Sequence, residues 1–142
     1  MSAALRATRL RYLVAALWLG GLVAVGAIGA PSAFSVVPQK MLAAAVASRM
    51  FHLIALGGAA CAAVLLGLER AREPTLARAR PLMLVAAALA LDIIGEFGVV
   101  PRLLAAASSG AADAGWWHVA ASTVYVAQTA CVLVYVWTLP QD

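Results

Sequence analysis

The sequence predicts an all-α protein, a bundle of four transmembrane helices. Of its 142 residues, 65% are hydrophobic and 11% are charged, whereas soluble proteins average about 45–50% and about 25%. Four apolar stretches each exceed the roughly 20 residues that a helix needs to cross a bilayer. They cover about 12–37, 41–68, 81–104 and 116–139. The length suits one domain, so residues 1–142 are expected to form a single four-helix transmembrane domain.

Each stretch is expected to be a helix, because hydrocarbon leaves helices or closed barrels as the only structures that satisfy the backbone. The first contains "LWLGG" and ends beyond Pro31, which predicts a kink. The second contains "SRMFHL" and the third "LALDIIGEFGVVPR". The fourth begins at Trp116 and Trp117, which are typical of a membrane interface. Abundant Ala and Gly favour close helix packing.

The basic residues predict the orientation of the bundle. The net charge is +4, but these residues flank the apolar stretches and form no polar face, so a nucleic-acid partner is not expected. The partner is the lipid bilayer. By the positive-inside rule, both termini and the middle loop are predicted to be cytoplasmic in a bacterial inner membrane. Seven of the ten basic residues lie on that side: Arg6, Arg9, Arg11, Arg70, Arg72, Arg78 and Arg80.

A short internal similarity suggests two repeated helical hairpins. "FSVVPQK" at 34–40 and "FGVVPRL" at 97–103 share Phe, Val, Val and Pro at the same spacing. Parallel repeats related by an axis along the membrane normal occur in other membrane proteins. Coincidence in a Val-rich sequence is the alternative.

The ionisable residues inside the apolar stretches are the candidates for a functional site, since each costs about 2.5–3.5 kcal/mol at a bilayer centre. At about 1.5 Å of rise per residue, Arg49 and Asp92 both lie about 13 Å below the outer boundary, His52 about 18 Å and Glu96 about 8 Å. Arg49 is therefore expected to pair with Asp92 and Glu96. One arginine does not neutralise two acids, so the remaining acid would bind a proton, His52 or a ligand.

His118, just inside the tryptophan pair, has Ser122 one turn further along and could line the mouth of the same cleft. His52 and His118 also raise the alternative of haem b between two helices. Their depths differ by about 15 Å, however, which disfavours ligation of one iron. A metal held by His52 with an acid is chemically reasonable, but no ligand-spacing motif supports it, and no metal ligands are assigned.

Together, "LWLGG" at 17–21, "MFH" at 50–52, the Pro101-Arg102 exit of the third helix and "HVAAS" at 118–122 resemble a family. They are similar to bacterial membrane proteins of unknown function that are related to transmembrane protein 205. The resemblance implies a four-helix membrane protein without an assigned activity. It directs attention to the following positions: Trp18, Gly20, Gly21, Pro31, His52, His118 and Ser122. Asp92 and Glu96 rest on the physical argument alone.

Three functions remain open. The first is a polar site near the outer face that binds or passes a small cationic or protonatable ligand. The second is an accessory subunit, as a homo-oligomer or within a larger membrane complex, whose polar residues fix packing. The third is a haem- or metal-binding membrane protein. Enzymatic turnover is not expected, because no nucleophile with its base and no phosphate loop is present.

Overall fold

The computed structural model describes residues 3–72 and 80–139, and these residues form helices joined by short connections. Four segments are long and apolar enough to cross a membrane: span 1 at Leu5–Val36, span 2 at Lys40–Arg72, span 3 at Arg80–Ser109 and span 4 at Ala114–Thr138. Within the described ranges no strand is present. This confirms the all-α class and the four helices, and it is the architecture of a multi-pass membrane protein.

Spans 1 and 3 are each built from three helical segments. Span 1 consists of α1 (Ala3–Val23), a π-helical segment (Ala24–Gly29) and α2 (Ala30–Val36). Spans 2 and 4 are single α-helices, α3 (Lys40–Arg72) and α6 (Ala114–Thr138). Span 3 consists of α4 (Arg80–Ile93), a second π-helical segment (Ile94–Val99) and α5 (Val100–Ser109).

The helices extend beyond several of the expected ends. Helix α1 already begins at Ala3, two residues before span 1, so Arg11 lies inside the helix, and span 2 continues to Arg72. The middle loop, predicted between the second and third apolar stretches, is therefore helical as far as Arg72, and residues 73–79 lie outside the described residues. Span 3 continues past Pro101 to Ser109, where Gly110 adopts a left-handed conformation that favours glycine and ends the helix.

Both π-helical segments stand directly before a proline. Pro31 and Pro101 each occupy the first turn of the α-helix that follows. A proline lacks the N–H that would bond back one turn, and its ring crowds the carbonyl four residues earlier. The wider turn before it accommodates this crowding. The kink expected at Pro31 thus takes the form of a π-helical segment, and the same feature at Pro101 was not expected.

The two hairpins match at an offset of 70 residues. The π-helical segments begin at Ala24 and Ile94. Seven buried positions of the first hairpin (Ala15, Trp18, Leu22, Gly58, Ala62, Leu65, Glu69) correspond at that offset to seven buried positions of the second (Val85, Ala88, Asp92, Gln128, Val132, Tyr135, Leu139). The two free cysteines, Cys61 and Cys131, also correspond. The offset pairs Pro101 with Pro31, not with Pro38 as the shared "VVP" pattern indicates.

The buried core lies along the middle of the bundle and draws on all four spans. Trp18, Leu22, Leu65, Val132 and Tyr135 are almost completely buried within it. Small residues allow close packing around them: a Cβ added to Gly58 would lie 2.6 Å from Trp18 Nε1. The start of span 1 and the ends of spans 2 and 4 meet at one end of the bundle. The π-helical segments lie towards the other end.

Candidate functional site

Four polar side chains from three spans form what we call the acid–histidine cluster: His52, Asp92, Glu96 and Gln128. His52 Nδ1 lies 2.5 Å from Glu96 Oε1 and joins span 2 to the π-helical segment of span 3. The His52 side chain is 39% exposed and that of Glu96 16%. This pair is therefore reachable from the surface of the bundle.

Asp92 lies one turn deeper than Glu96 and is only 7% exposed. Gln128 of span 4, itself buried, donates a hydrogen bond of 2.9 Å from Nε2 to Asp92 Oδ1. The two carboxylates are close enough for electrostatic interaction. Each uses one oxygen in these bonds. Asp92 Oδ2 and Glu96 Oε2 have no hydrogen-bond partner among the described residues.

Tyr125 stands beside this cluster and ties the two hairpins together. Its hydroxyl donates a 2.7 Å hydrogen bond to the carbonyl of Leu22, next to the π-helical segment of span 1. The ring of Phe51 packs edge-on against the ring of Tyr125, and the two ring centroids are 5.0 Å apart. Gly26 leaves room for this ring, since a Cβ there would lie 2.6 Å from Tyr125 Cε1. The cluster thus sits where the two hairpins meet.

Arg49 does not take part in the cluster. Its side chain is exposed, and within the described chain neither acid bonds or pairs with it. Nine residues separate Arg49 from buried Gly58, which is two and a half helical turns, so the two residues lie on opposite faces of span 2. The expected pairing of Arg49 with Asp92 and Glu96 is therefore not found. Instead, His52 pairs with Glu96, and Gln128 donates a hydrogen bond to Asp92.

The remaining candidates lie apart from the cluster. His118 is exposed, and Ser122 donates its hydroxyl to the backbone carbonyl of His118 at 2.9 Å. Ser122 also lines a shallow groove on the outer face of span 4. Near the same end, Trp117 donates its indole N–H to Asp113 at 3.1 Å, and the guanidinium of Arg102 lies 5.6 Å from its ring centre.

Most of the residues expected to have structural roles lie in the packed core or next to the π-helical segments, and one of them, Gly20, does not. Trp18 is buried at the centre of the core, and Gly21 lies against Ile54 of span 2. Pro31 and Pro101 follow the π-helical segments as described above. Gly20 differs from its neighbour, because no atom lies within 4 Å of where its Cβ would stand. It faces open space and has no packing role within the described chain.

The two histidines are not placed to hold one haem iron. The contact between Phe51 and Tyr125 puts His52 at about the level of Tyr125. His118 lies seven residues nearer the start of span 4, which is about 10 Å along the helix axis. Two axial ligands must face one iron at the same level. Among the described residues no group of three His, Cys, Asp or Glu side chains is suited to a metal ion.

A second polar group, at the opposite end of the bundle, was not predicted. Arg11 donates from Nε to Glu69 Oε1 at 2.7 Å, and Tyr135 donates its hydroxyl to the same oxygen at 2.7 Å. Arg11 is 3% exposed and Glu69 4%. The helical spacing carried the signal: Arg11 precedes Ala15 and Trp18 on the buried face of span 1. Arg11 also belongs to the basic residues that flank the first apolar stretch, however, and such residues are usually solvated.

Comparison with known proteins places the chain in a family. The model of a domain of unknown function, DUF4149, matches residues 13–112, more than half of the chain. The chain belongs to the DUF4149 family. No curated protein and no solved structure matches it significantly.

The DUF4149 match covers part of the candidate site. It includes His52, Asp92 and Glu96, together with both π-helical segments. Span 4 begins at Ala114, so Gln128, His118 and Ser122 lie beyond the matched residues. The "HVAAS" segment is accordingly outside the part of the chain that the family model supports.

Proposed function

We propose that this protein is an integral membrane protein whose acid–histidine cluster binds one proton or one small cation. The observation that carries the proposal is the charge of the cluster. Two carboxylates share one histidine and one amide, so a negative charge remains even when His52 is protonated. In an apolar bundle an uncompensated charge is strongly unfavourable, and a proton or a cation removes it.

The geometry supports such a ligand. The second oxygens of Asp92 and Glu96 are free acceptors among the described residues. Exposure decreases from His52 through Glu96 to Asp92, so a ligand from the surface of the bundle would meet His52 and Glu96 before Asp92. The π-helical segment that contains Glu96 leaves backbone groups displaced from the regular α-helical pattern, as at functional sites elsewhere. The ligand therefore belongs to the class of small cations and protonatable amines.

We also propose where the protein lies and how it is oriented in the membrane. The protein would lie in a bacterial inner membrane with both termini in the cytoplasm, since the basic residues concentrate at that end. The acid–histidine cluster would then open towards the extracytoplasmic side. We also propose a relation to transmembrane protein 205, on the basis of the segments that resemble that family.

A second candidate function is that of a subunit in a larger membrane complex. One observation favours it: Arg49, inside a span, faces away from the bundle and pairs with no acid of the described chain. A polar cluster that only fixed helix packing would also suit this role.

Proteoliposomes test the first candidate. The full chain would be reconstituted, and uptake of protons, Na⁺, K⁺ and methylammonium measured beside calorimetric binding of the same cations. We expect the Asp92→Asn, Glu96→Gln double variant to lose uptake or binding by about tenfold or more, which corresponds to ~1.4 kcal/mol or more. Asp113→Asn is the control, because Asp113 is exposed and, among the residues that the structure describes, bonds only to Trp117. Equal uptake and equal binding in the wild type and the double variant would contradict the proposal.

A further inference from the structure

Span 2 has a stripe of exposed side chains on the face that contains Arg49. Successive members are three or four residues apart, which places them on one side of the helix. Apart from Arg49, the stripe is apolar: Leu42, Val46, Leu53, Leu56, Ala60, Val64 and Gly67. We call it the Arg49 stripe. Arg49 is its single charged residue.

Two measures place Arg49 below the membrane surface. It lies nine residues from Lys40, the start of span 2, which is about 13 Å along the axis. Independently, Phe51 packs against Tyr125, which lies nine residues beyond Trp116. Since tryptophans mark the interface, Arg49 lies about 10 Å below that level. In lipid an arginine at the bilayer centre costs about 2.5–3.5 kcal/mol on insertion scales, and less nearer the interface.

The bundle itself gives no reason for a charge at this position. At the 70-residue offset, the equivalent of Arg49 in the second hairpin is Val119, an exposed apolar side chain. The second hairpin thus has an uncharged residue at the equivalent position, so the shared framework of the hairpins does not itself call for a charge. A partner outside the described chain explains the arginine better than a requirement of packing does.

The carboxylates of a second copy of this chain are not suitable partners for Arg49. Glu69 binds Arg11 and Tyr135, Glu96 binds His52, and Asp92 is buried against Gln128. Asp113, at the start of span 4, accepts a hydrogen bond from Trp117. Among the described residues, Glu69, Asp92 and Glu96 are at most 16% exposed, and Asp113 precedes the interfacial Trp116, so a second copy presents no well-exposed carboxylate at the depth of Arg49.

We infer that the Arg49 stripe binds a transmembrane helix of a partner protein, and that this helix carries an Asp or Glu at the depth of Arg49. A guanidinium and a carboxylate form paired, charge-assisted hydrogen bonds that are strongest away from water. The small residues Ala60 and Gly67, and Gly57 beside them, let two helix backbones approach closely below the charged pair. The inference develops the subunit role and does not depend on the cation site.

Site-specific photo-crosslinking tests it in the full chain, in the membranes of its own host. The photoreactive residue replaces Leu53, on the stripe, or Val119, the exposed control position in the other hairpin. We expect Leu53 to give one protein adduct and Val119 to give none. Arg49→Leu should reduce the Leu53 adduct about tenfold or more, and Arg49→Gln provides a second uncharged variant. Both should unfold thermally at the wild-type temperature, because the position is exposed.

Charge exchange then identifies the carboxylate. Arg49→Glu should abolish the adduct, and replacement of the partner's Asp or Glu by Arg should restore it. Adducts with phospholipid only, adducts with a second copy, or a partner adduct that is unchanged in Arg49→Leu would each overturn the inference. The result is separable from the cation site, because the Leu53 adduct should persist in the Asp92→Asn, Glu96→Gln variant.

Discussion

Asp92 and Glu96 lie one turn apart but have different surroundings. Asp92 is buried against a neutral amide, whereas Glu96 faces a histidine at the partly exposed edge of two spans. Asp92 thus belongs to a buried pair and Glu96 to a partly exposed one. The proposed function requires both acids, one buried and one partly exposed.

Gly58 provides a test of the packing around Trp18. A Cβ at Gly58 would meet the stiff indole ring at 2.6 Å, so Gly58→Ala should destabilise the protein by about 1–3 kcal/mol. Gly57→Ala is the matched control, because no atom lies within 4 Å of its Cβ position and alanine favours helices by about 1 kcal/mol. Thermal unfolding in mild detergent measures both. Equal effects of the two substitutions would contradict the close contact.

Arg11 and Glu69 form a buried pair, and loss of one partner should cost more than loss of both. Glu69→Gln leaves the arginine buried without a counter-charge, at an expected cost of about 3–5 kcal/mol. The Arg11→Met, Glu69→Met double variant fills similar space without charge and should cost less. Arg6→Met, at an exposed position, is the control. Chemical unfolding followed by tryptophan fluorescence gives the free energies. A double variant less stable than Glu69→Gln would be inconsistent with a buried pair.

At the scale of the elements, the spans were predictable and their polar contacts were only partly so. Long apolar runs identify membrane helices because the bilayer fixes their minimum length. Helical periodicity places Arg49 and His52 on roughly the same face of span 2. Positions i and i+3 nevertheless differ by about 60° around the helix axis. This rotation is enough for His52 to face Glu96 while Arg49 faces away from the bundle. The contacts of Glu69 could not be predicted, because its buried partners, Arg11 and Tyr135, lie far away in the sequence.

The π-helical segments were not predictable from Pro31 and Pro101 alone, since a membrane proline is accommodated in several ways. A π-helical segment holds more residues per turn than an α-helix, so it can lose a residue without rotating the helices on either side. Deletion of Ala27, in the first segment, should therefore give a folded protein with nearly wild-type thermal stability. Deletion of Ala16, in α1, should destabilise the protein. It would rotate Trp18 by about 100° relative to Arg11, so the two residues would no longer share the buried face of the helix. Equal loss of folded protein in the two deletions would contradict this account.

At the scale of the whole molecule, two hairpins share one framework and differ in their polar residues. The second hairpin has Asp92 and Glu96 where the first has Leu22 and Gly26. The charged pair at the other end of the bundle comes from the first hairpin alone. The proposed functional site thus lies where the two hairpins contact each other. The hairpins share a helical framework, but only the second contributes the two acids.

Orientation in the membrane is a prediction for the whole chain. With its basic residues concentrated at one end, both termini should be cytoplasmic. Reporter fusions that are active on only one side of the membrane, placed at the C-terminus and after Gly110, should give opposite signals. An extracytoplasmic C-terminus would contradict the prediction and would move the acid–histidine cluster to the cytoplasmic side.

The central claim is that Asp92 and Glu96 together retain a charge that a proton or a cation neutralises. Infrared difference spectroscopy of the purified protein observes this directly through the C=O stretch of a protonated carboxyl. The account predicts a carboxyl signal that changes when protons or Na⁺, K⁺ or methylammonium are added, and that is absent in the Asp92→Asn, Glu96→Gln variant. A wild-type spectrum with no carboxyl change under any of these conditions would contradict it.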